Sequence, residues 1–453
     1  MATLQLAQWV VNLTAEALPD PVRKAALRSL YNYMGCAIGG SNHPTVRKAF
    51  DALSSCFGAP TSTIFGHSGK RKTDAQHAAL LTGIASHVHD YDDTHLATII
   101  HPTGPVASAL LAYAELKGNV SGQELLTALV AGIEASCKLG LAVWPTHYDV
   151  GWHITSSTGS IGAAVAVSKL MKLNVEQTAH AIGIAATQVT GLREMFGSNT
   201  KSFHPGRAAQ SGLLAAVLAE KGYTSSLQAI EAKRGWANVV VASGTPRLET
   251  FLGNGKEGLG RSWEVERNAF KPFPCGIVCH PAIDGCIQLH AQMRDSGLAT
   301  DEIEKVEERV HRLVIELTSK KMPKDGLEAK FSVFHGCAVG LLYGKAGPAE
   351  YADEVVDSPE VISLRDKITA SADEGVKSDE VHLVVTYKDG KQMEKHIDHA
   401  VGSVEVPMTD AQLTEKFMDQ CSLVLGSDKA KQASDAAWTI GDCSDVAKVL
   451  ATL

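Results

Sequence analysis

Between Pro105 and Lys221 the chain is almost one continuous series of apolar helical segments. They are Val106–Leu116, Gly122–Gly140, Gly159–Met171, Val175–Val189 and Ala208–Ala219, each rich in Ala, Leu, Val and Gly. A helix that is apolar around most of its circumference needs other helices around it, because one buried face does not satisfy it. This stretch therefore predicts the centre of an all-α domain. Much of the chain's glycine, 40 residues in all, stands beside alanine here, which predicts closely approaching helices.

Chemistry concentrates just before that series. Residues 87–101 hold four histidines (His87, His89, His95, His101) and three aspartates (Asp90, Asp92, Asp93), and the stretch closes on the turn His101-Pro102-Thr103-Gly104-Pro105. A core excludes so many polar groups unless they are paired, and a solvated face would use Lys and Glu. Histidine changes charge near neutral pH and adjacent carboxylates tune it. The cluster predicts a proton-transfer centre or a metal site.

Outside this core, residues 4–56 form two helical patterns broken at Leu18-Pro19-Asp20-Pro21. A short extended piece, Ser62–Gly66, then leads to a basic turn at Lys70-Arg71-Lys72. After about residue 265 the character changes. Val306–Thr318 alternates in its second half (Leu313, Ile315, Leu317) and predicts a strand there. Val381–Tyr387 and Gln392–Ile397 around Lys388-Asp389-Gly390 predict a hairpin. Helices are expected near 332–343 and 358–370. Thr409-Asp-Ala-Gln412 is a capping box that starts a helical tail. Residues 267–399 thus form a separate α+β unit, and 1–266 with 400–453 form the helical domain.

A net charge of −8 argues against nucleic acid, whose phosphates demand a basic face. The start of the chain has neither a basic nor a long apolar leader, and no run of eighteen apolar residues is present. Nine scattered cysteines suit a reducing compartment. A cytoplasmic protein without membrane or nucleic-acid partners is expected.

Several motifs offer competing chemistries. His87 and His89 with Asp90, Asp92 and Asp93 offer a mixed N/O shell, and His89-Asp90 is the dipeptide of HD-type metal phosphohydrolases, a match of only two residues. Cys275-Gly-Ile-Val-Cys279-His280 lacks a second pair for structural zinc and is expected to be a buried turn. Gly253-Asn-Gly255-Lys-Glu-Gly258 has no preceding strand and predicts a loop. Acid–base chemistry on an anion remains. Lys201, His204 and Arg207 gather potential positive charge in a polar break, and His153 follows Trp152 at the mouth of the glycine-rich helix 158–171.

At these residues the chain resembles the MmgE/PrpD family. The resemblance rests on Asp90-Tyr-Asp92-Asp93-Thr94-His95 with His101-Pro102-Thr103-Gly104, on Trp152-His153, and on Thr200–Ala209. Phe270-Lys271-Pro272-Phe273-Pro274-Cys275, His280-Pro281-Ala282 and Pro407-Met408-Thr409 add to it. It implies a mainly α protein: a large all-helical domain built from both chain ends with an inserted, smaller α+β lid, typically a homodimer, with no metal and no organic cofactor. Its active-site motifs fall on Asp90, Thr94, His101, His153 and Lys201. The expected catalytic residues are His101, His153 and Asp90, with His101 moving the proton, His153 as its partner on the other face or a carboxylate binder, and Asp90 orienting a histidine. Thr94, Lys201, His95, His204 and Lys271 are the expected substrate contacts. The decarboxylase branch also uses a lid tyrosine after a strand, whereas 316–322 here contains none. The family's first helix pair carries an aspartate where this chain has Asn32.

The expected activity is that of a cofactor-independent lyase on a small di- or tricarboxylate, by proton transfer α to a carboxylate. Dehydration of the 2-methylcitrate type leads, with aconitate-type decarboxylation beside it. The alternatives are epimerisation of a dicarboxylate such as iminodisuccinate and, more remotely, metal-dependent phosphohydrolysis.

Overall fold

The computed structural model describes residues 1–67 and 71–452, so Lys70 of the expected basic turn lies outside the described residues. The chain is mainly α and divides into two compact units. One comprises residues 1–88, 92–268 and 410–453; the other comprises 89–91 and 269–409.

In the first unit the helix Ile154–Met171 lies between Gly122–Val143 and Asn199–Glu220, and the latter also packs on Ala75–His87. Glycine sets these distances. A Cβ at Gly206 would fall 2.3 Å from the Leu80 carbonyl oxygen, and one at Gly83 would fall 2.5 Å from the Gly206 Cα. The two helices therefore meet backbone to backbone, an approach that only glycine permits. Among the described residues, Gly122–Val143 alone is long and apolar enough to cross a membrane, and 94% of the qualifying window is buried inside the fold.

The helix Asn199–Glu220 corrects the sequence reading. Residues 200–207 are its first turns, where a polar break was expected. Ser198 accepts a hydrogen bond from the Thr200 N–H (3.3 Å) at its start, and the helix runs through Pro205. The price of an interior proline is one missing N–H, and here burial of most of the helix offsets it.

The C-terminal segment packs on the N-terminal one. Helix Asp410–Leu425 lies against Asp20–Gly40, and Lys416 Nζ donates to Asn32 Oδ1 at 2.7 Å in a buried contact. Asn32 is thus a structural acceptor. Tyr31 stacks on Trp438 (ring centroids 3.9 Å apart), and its hydroxyl lies 2.6 Å from Ser434 Oγ.

The second unit is built on a four-stranded sheet in the order 368–372, 303–310, 381–387, 392–397. The first pair is parallel and the others are antiparallel. Helices His280–Asp295 and Val333–Tyr343 pack on one another, and the first also packs on strands 381–387 and 392–397. The hairpin falls where its sequence predicts.

The strand expected at 313–317 does not form. Residues 303–310 are the strand, and Arg312–Thr318 is a helix whose start is capped by His311 Nδ1 accepting the Leu313 N–H at 3.3 Å. Three apolar residues at alternate positions fit a helix with one half-buried face as well as a strand. The helix expected over 358–370 stops at Asp366. Ile368–Ala372 becomes an edge strand paired parallel to 303–310, where β-branched Ile368 and Thr369 are favoured.

Candidate active site

The first unit gathers the histidines. The helix Ala75–His87, N-capped by Asp74, presents His87 at its last turn. The chain re-enters this unit at Asp92 and runs extended over Asp93–His95 to the start of helix Thr103–Lys117. His153 is the N-cap residue of Ile154–Met171, and Asn199–Glu220 carries Lys201 and His204.

Asp92 orients the first ring. Its Oδ2 accepts from His87 Nδ1 at 2.7 Å, and its Oδ1 lies 3.6 Å from His101 Nδ1. Asp93 ties the turn together by accepting from the Thr103 hydroxyl and backbone N–H and from the Asn268 amide. Burial, reinforced by the charge on Asp92, pushes the Asp93 carboxyl up to about 6 against those hydrogen bonds.

His101 Nδ1 lies 2.7 Å from the Asp93 carbonyl oxygen. A carbonyl only accepts, so Nδ1 carries the hydrogen and Nε2 is the basic nitrogen of the neutral ring. Thr94 Oγ1 is 3.3 Å from the same Nδ1, and the His101 N–H donates to Thr155 Oγ1 at 3.0 Å. Backbone and side chain together hold this imidazole in one tautomer.

Around it stand two further rings. His87 is 4.8 Å and His153 6.4 Å from His101 between centroids. His153 Nδ1 faces His204 Nδ1 at 2.8 Å, and the Phe196 edge closes on His153 at 5.1 Å. Burial holds His153 well below the ordinary histidine range, helped by the neighbouring His204, Lys201, His87 and His101. Burial likewise lowers His204 to about 4, with His87 and Lys201 adding to it. Lys201 is 7% exposed, with Nζ 5.4 Å from the Phe196 centroid. A buried lysine beside neutral imidazoles suits a carboxylate ligand.

The structure brings together His101, His153, Thr94, Lys201 and His204, all predicted from sequence, and adds His87 and Asp92. Those two stand in the same His/Asp cluster, so their density was the available signal. His95 is placed elsewhere in the unit. Its Nδ1 meets Thr98 Oγ1 at 2.7 Å and its Nε2 meets Glu264 at 3.1 Å. Glu264 in turn accepts from Lys138 Nζ at 2.9 Å. Burial would raise Glu264, but His95 and Lys138 outweigh it and hold the carboxyl at about 2. His95 thus lies in a buried network with Thr98, Glu264 and Lys138.

Asp90 and Lys271 fall in the second unit, as an ion pair. Lys271 Nζ donates to Asp90 Oδ1 at 2.8 Å and to the Cys275 carbonyl at 3.1 Å. Lys330 holds the neighbouring His89 carbonyl at 2.9 Å, and the Tyr91 hydroxyl donates to the Pro272 carbonyl at 3.0 Å. Asp90 adopts φ 51°, a conformation costly for a non-glycine residue and sustained here by those anchors.

A buried group of imidazoles oriented by a carboxylate, with a buried lysine beside it, can support acid–base chemistry on an anion. The chain belongs to the MmgE/PrpD family: residues 4–249 match the MmgE/PrpD N-terminal domain and 273–440 the MmgE/PrpD C-terminal domain. It is 27% identical to a cis-aconitate decarboxylase-like protein of Aspergillus oryzae, over 100% of this chain and 97% of that one. It is 26% identical to the human cis-aconitate decarboxylase, over 100% and 94%. Against the Escherichia coli 2-methylcitrate dehydratase the identity is 24% over 77% and 73%.

Proposed function

We propose that this chain is a lyase that acts on a small di- or tricarboxylate by moving a proton at a carbon α to a carboxylate, without a cofactor. The observation that carries the reading is the Asp93 carbonyl bond that fixes hydrogen on His101 Nδ1 and leaves Nε2 as the base. In a closed polar site a positioned base of this kind contributes about 10²- to 10⁴-fold. Lys201 and Thr94 would hold substrate carboxylates.

His101 Nε2 takes the α proton, and the electron pair left on carbon expels hydroxide. His101, protonated by that step, returns its proton to the departing hydroxide, which leaves as water, while the neutral His153–His204 pair lines the site. In the decarboxylating version CO2 leaves first, and a protonated His101 gives its Nε2 proton to the carbanion on carbon. The curated relatives' names support both versions. The absence of tyrosine from residues 316–322 favours dehydration; reprotonation on the opposite face would give an epimerase.

Proton NMR in D2O with citrate, 2-methylcitrate, cis- and trans-aconitate and chiral imino-dicarboxylates tests the proposal. A new alkene signal identifies dehydration, CO2 loss identifies decarboxylation, and α-deuteration alone identifies epimerisation. Each should vanish in His101→Ala. Silence across the panel would sink the reading.

One observation favours a second reading. His87, His101 and His153 each bring a ligand atom to within 4.8 Å of the others, a spacing that fits a three-histidine metal shell. Activity lost to a chelator and restored by manganese or iron would select it.

A further inference from the structure

We propose that the open end of the hairpin in the second unit is a binding site for a divalent transition-metal ion of the zinc type. Its ligands are His382, His396 and Glu380. His382 and His396 are direct cross-strand partners on strands Val381–Tyr387 and Gln392–Ile397. Their rings stack with centroids 4.1 Å apart and planes within 5°. Both Nε2 atoms aim at one carboxylate oxygen: Glu380 Oε1 lies 2.8 Å from His396 Nε2 and 3.4 Å from His382 Nε2. Asp398 Oδ1 adds a second carboxylate 3.6 Å from His396 Nε2.

A tetrahedral ion at about 2.0–2.2 Å from nitrogen and oxygen ligands requires donor atoms roughly 3.3 Å apart. The two carboxylate–imidazole separations bracket that value, and rotation of the stacked rings about χ2, turning both Nε2 atoms onto one ion, would complete the shell, with water in the fourth position. Two imidazoles and one carboxylate select zinc, copper or nickel over calcium and magnesium.

Exposure suits exchange with solvent: the two histidine side chains are 32% and 42% exposed and the glutamate 12%. Strand 392–397 is at the edge of the sheet, so the ion would staple that edge to its neighbour at the end farthest from the 388–390 turn. A nearby group, Asp379, His399 and Glu405, offers one imidazole and two carboxylates, a poorer shell for such an ion.

The test uses the full chain, stripped with EDTA and titrated with zinc chloride alone. Histidine acylation by diethyl pyrocarbonate, mapped by peptide mass spectrometry, locates the ion. Saturating zinc should protect His382 and His396 together. The number of zinc ions bound per chain should fall by one in His396→Gln, and affinity at this site should fall by at least about tenfold in Glu380→Gln, with circular dichroism unchanged in both. Equal acylation of His382 and His396 with and without zinc, protection confined to His399, or an unchanged zinc count in His396→Gln would each overturn the proposal.

Discussion

His153 and His204 face each other through their Nδ1 atoms at 2.8 Å, so one hydrogen is shared and one ring must accept it. Protonating both rings breaks that contact and charges two buried groups. The native state therefore takes up a proton at His204 only near pH 4, whereas the unfolded chain does so near the ordinary 6.5. Between those values the unfolded state binds more protons, and stability falls as pH drops. Asp93 acts with the opposite sign between its ordinary 3.8 and about 6, so the comparison is between proteins. Urea unfolding from pH 4 to 7 should show a shallower pH slope for His204→Gln than for wild type; equal slopes would remove His204 as a contributor.

His101→Ala should cost about 10²- to 10⁴-fold in kcat with the fold retained. The ring is buried and held by a backbone carbonyl, so a modest fall in melting temperature is expected. A variant that retains wild-type turnover would transfer the base to another group.

His95→Gln separates scaffold from substrate contact. With its nitrogens committed to Thr98 and Glu264, the substitution should lower stability by about 1–3 kcal/mol and leave KM of the folded enzyme unchanged. Lys138→Met should cost more, about 3–5 kcal/mol, because it removes the nearest and only fully buried cation paired with the Glu264 carboxylate among the described residues, leaving half-exposed Arg267 at 3.5 Å. Chemical denaturation measures both. A raised KM in His95→Gln would return that residue to the site.

Gly206→Ala places a methyl group 2.3 Å from the Leu80 carbonyl oxygen. Overpacking of this kind costs typically about 1–3 kcal/mol, read as a lower urea midpoint. Since the same helix carries Lys201 and His204, turnover should fall as well. Full activity and stability would show that the helices have room to separate.

The helical core was legible because Ala- and Gly-rich segments with no polar face have few other uses, and the site was legible because so many His and Asp residues occur together. What escaped depended on geometry that composition does not carry. Thr94 and His95 are neighbours in one motif, yet successive side chains of an extended backbone point to opposite sides. Thr94 therefore reaches His101 while His95 turns to Glu264. The tautomer of His101 is set by a main-chain carbonyl, which every residue possesses, so no residue type announces it. The strand at 303–310 was hidden by its outward charges, Glu304, Lys305 and Glu307, among few inward apolar residues.

The contact between Gly83 and Gly206 has a consequence for how such a site changes over time. At Gly83 and Gly206 the helix that ends at His87 and the helix that carries His204 meet main chain to main chain, which sets their spacing. Lining residues elsewhere around the imidazoles are then interchangeable without retuning that spacing. Substrate preference and catalytic geometry are thereby separately adjustable, and an engineer seeking a new carboxylate would leave the glycines fixed and vary the walls.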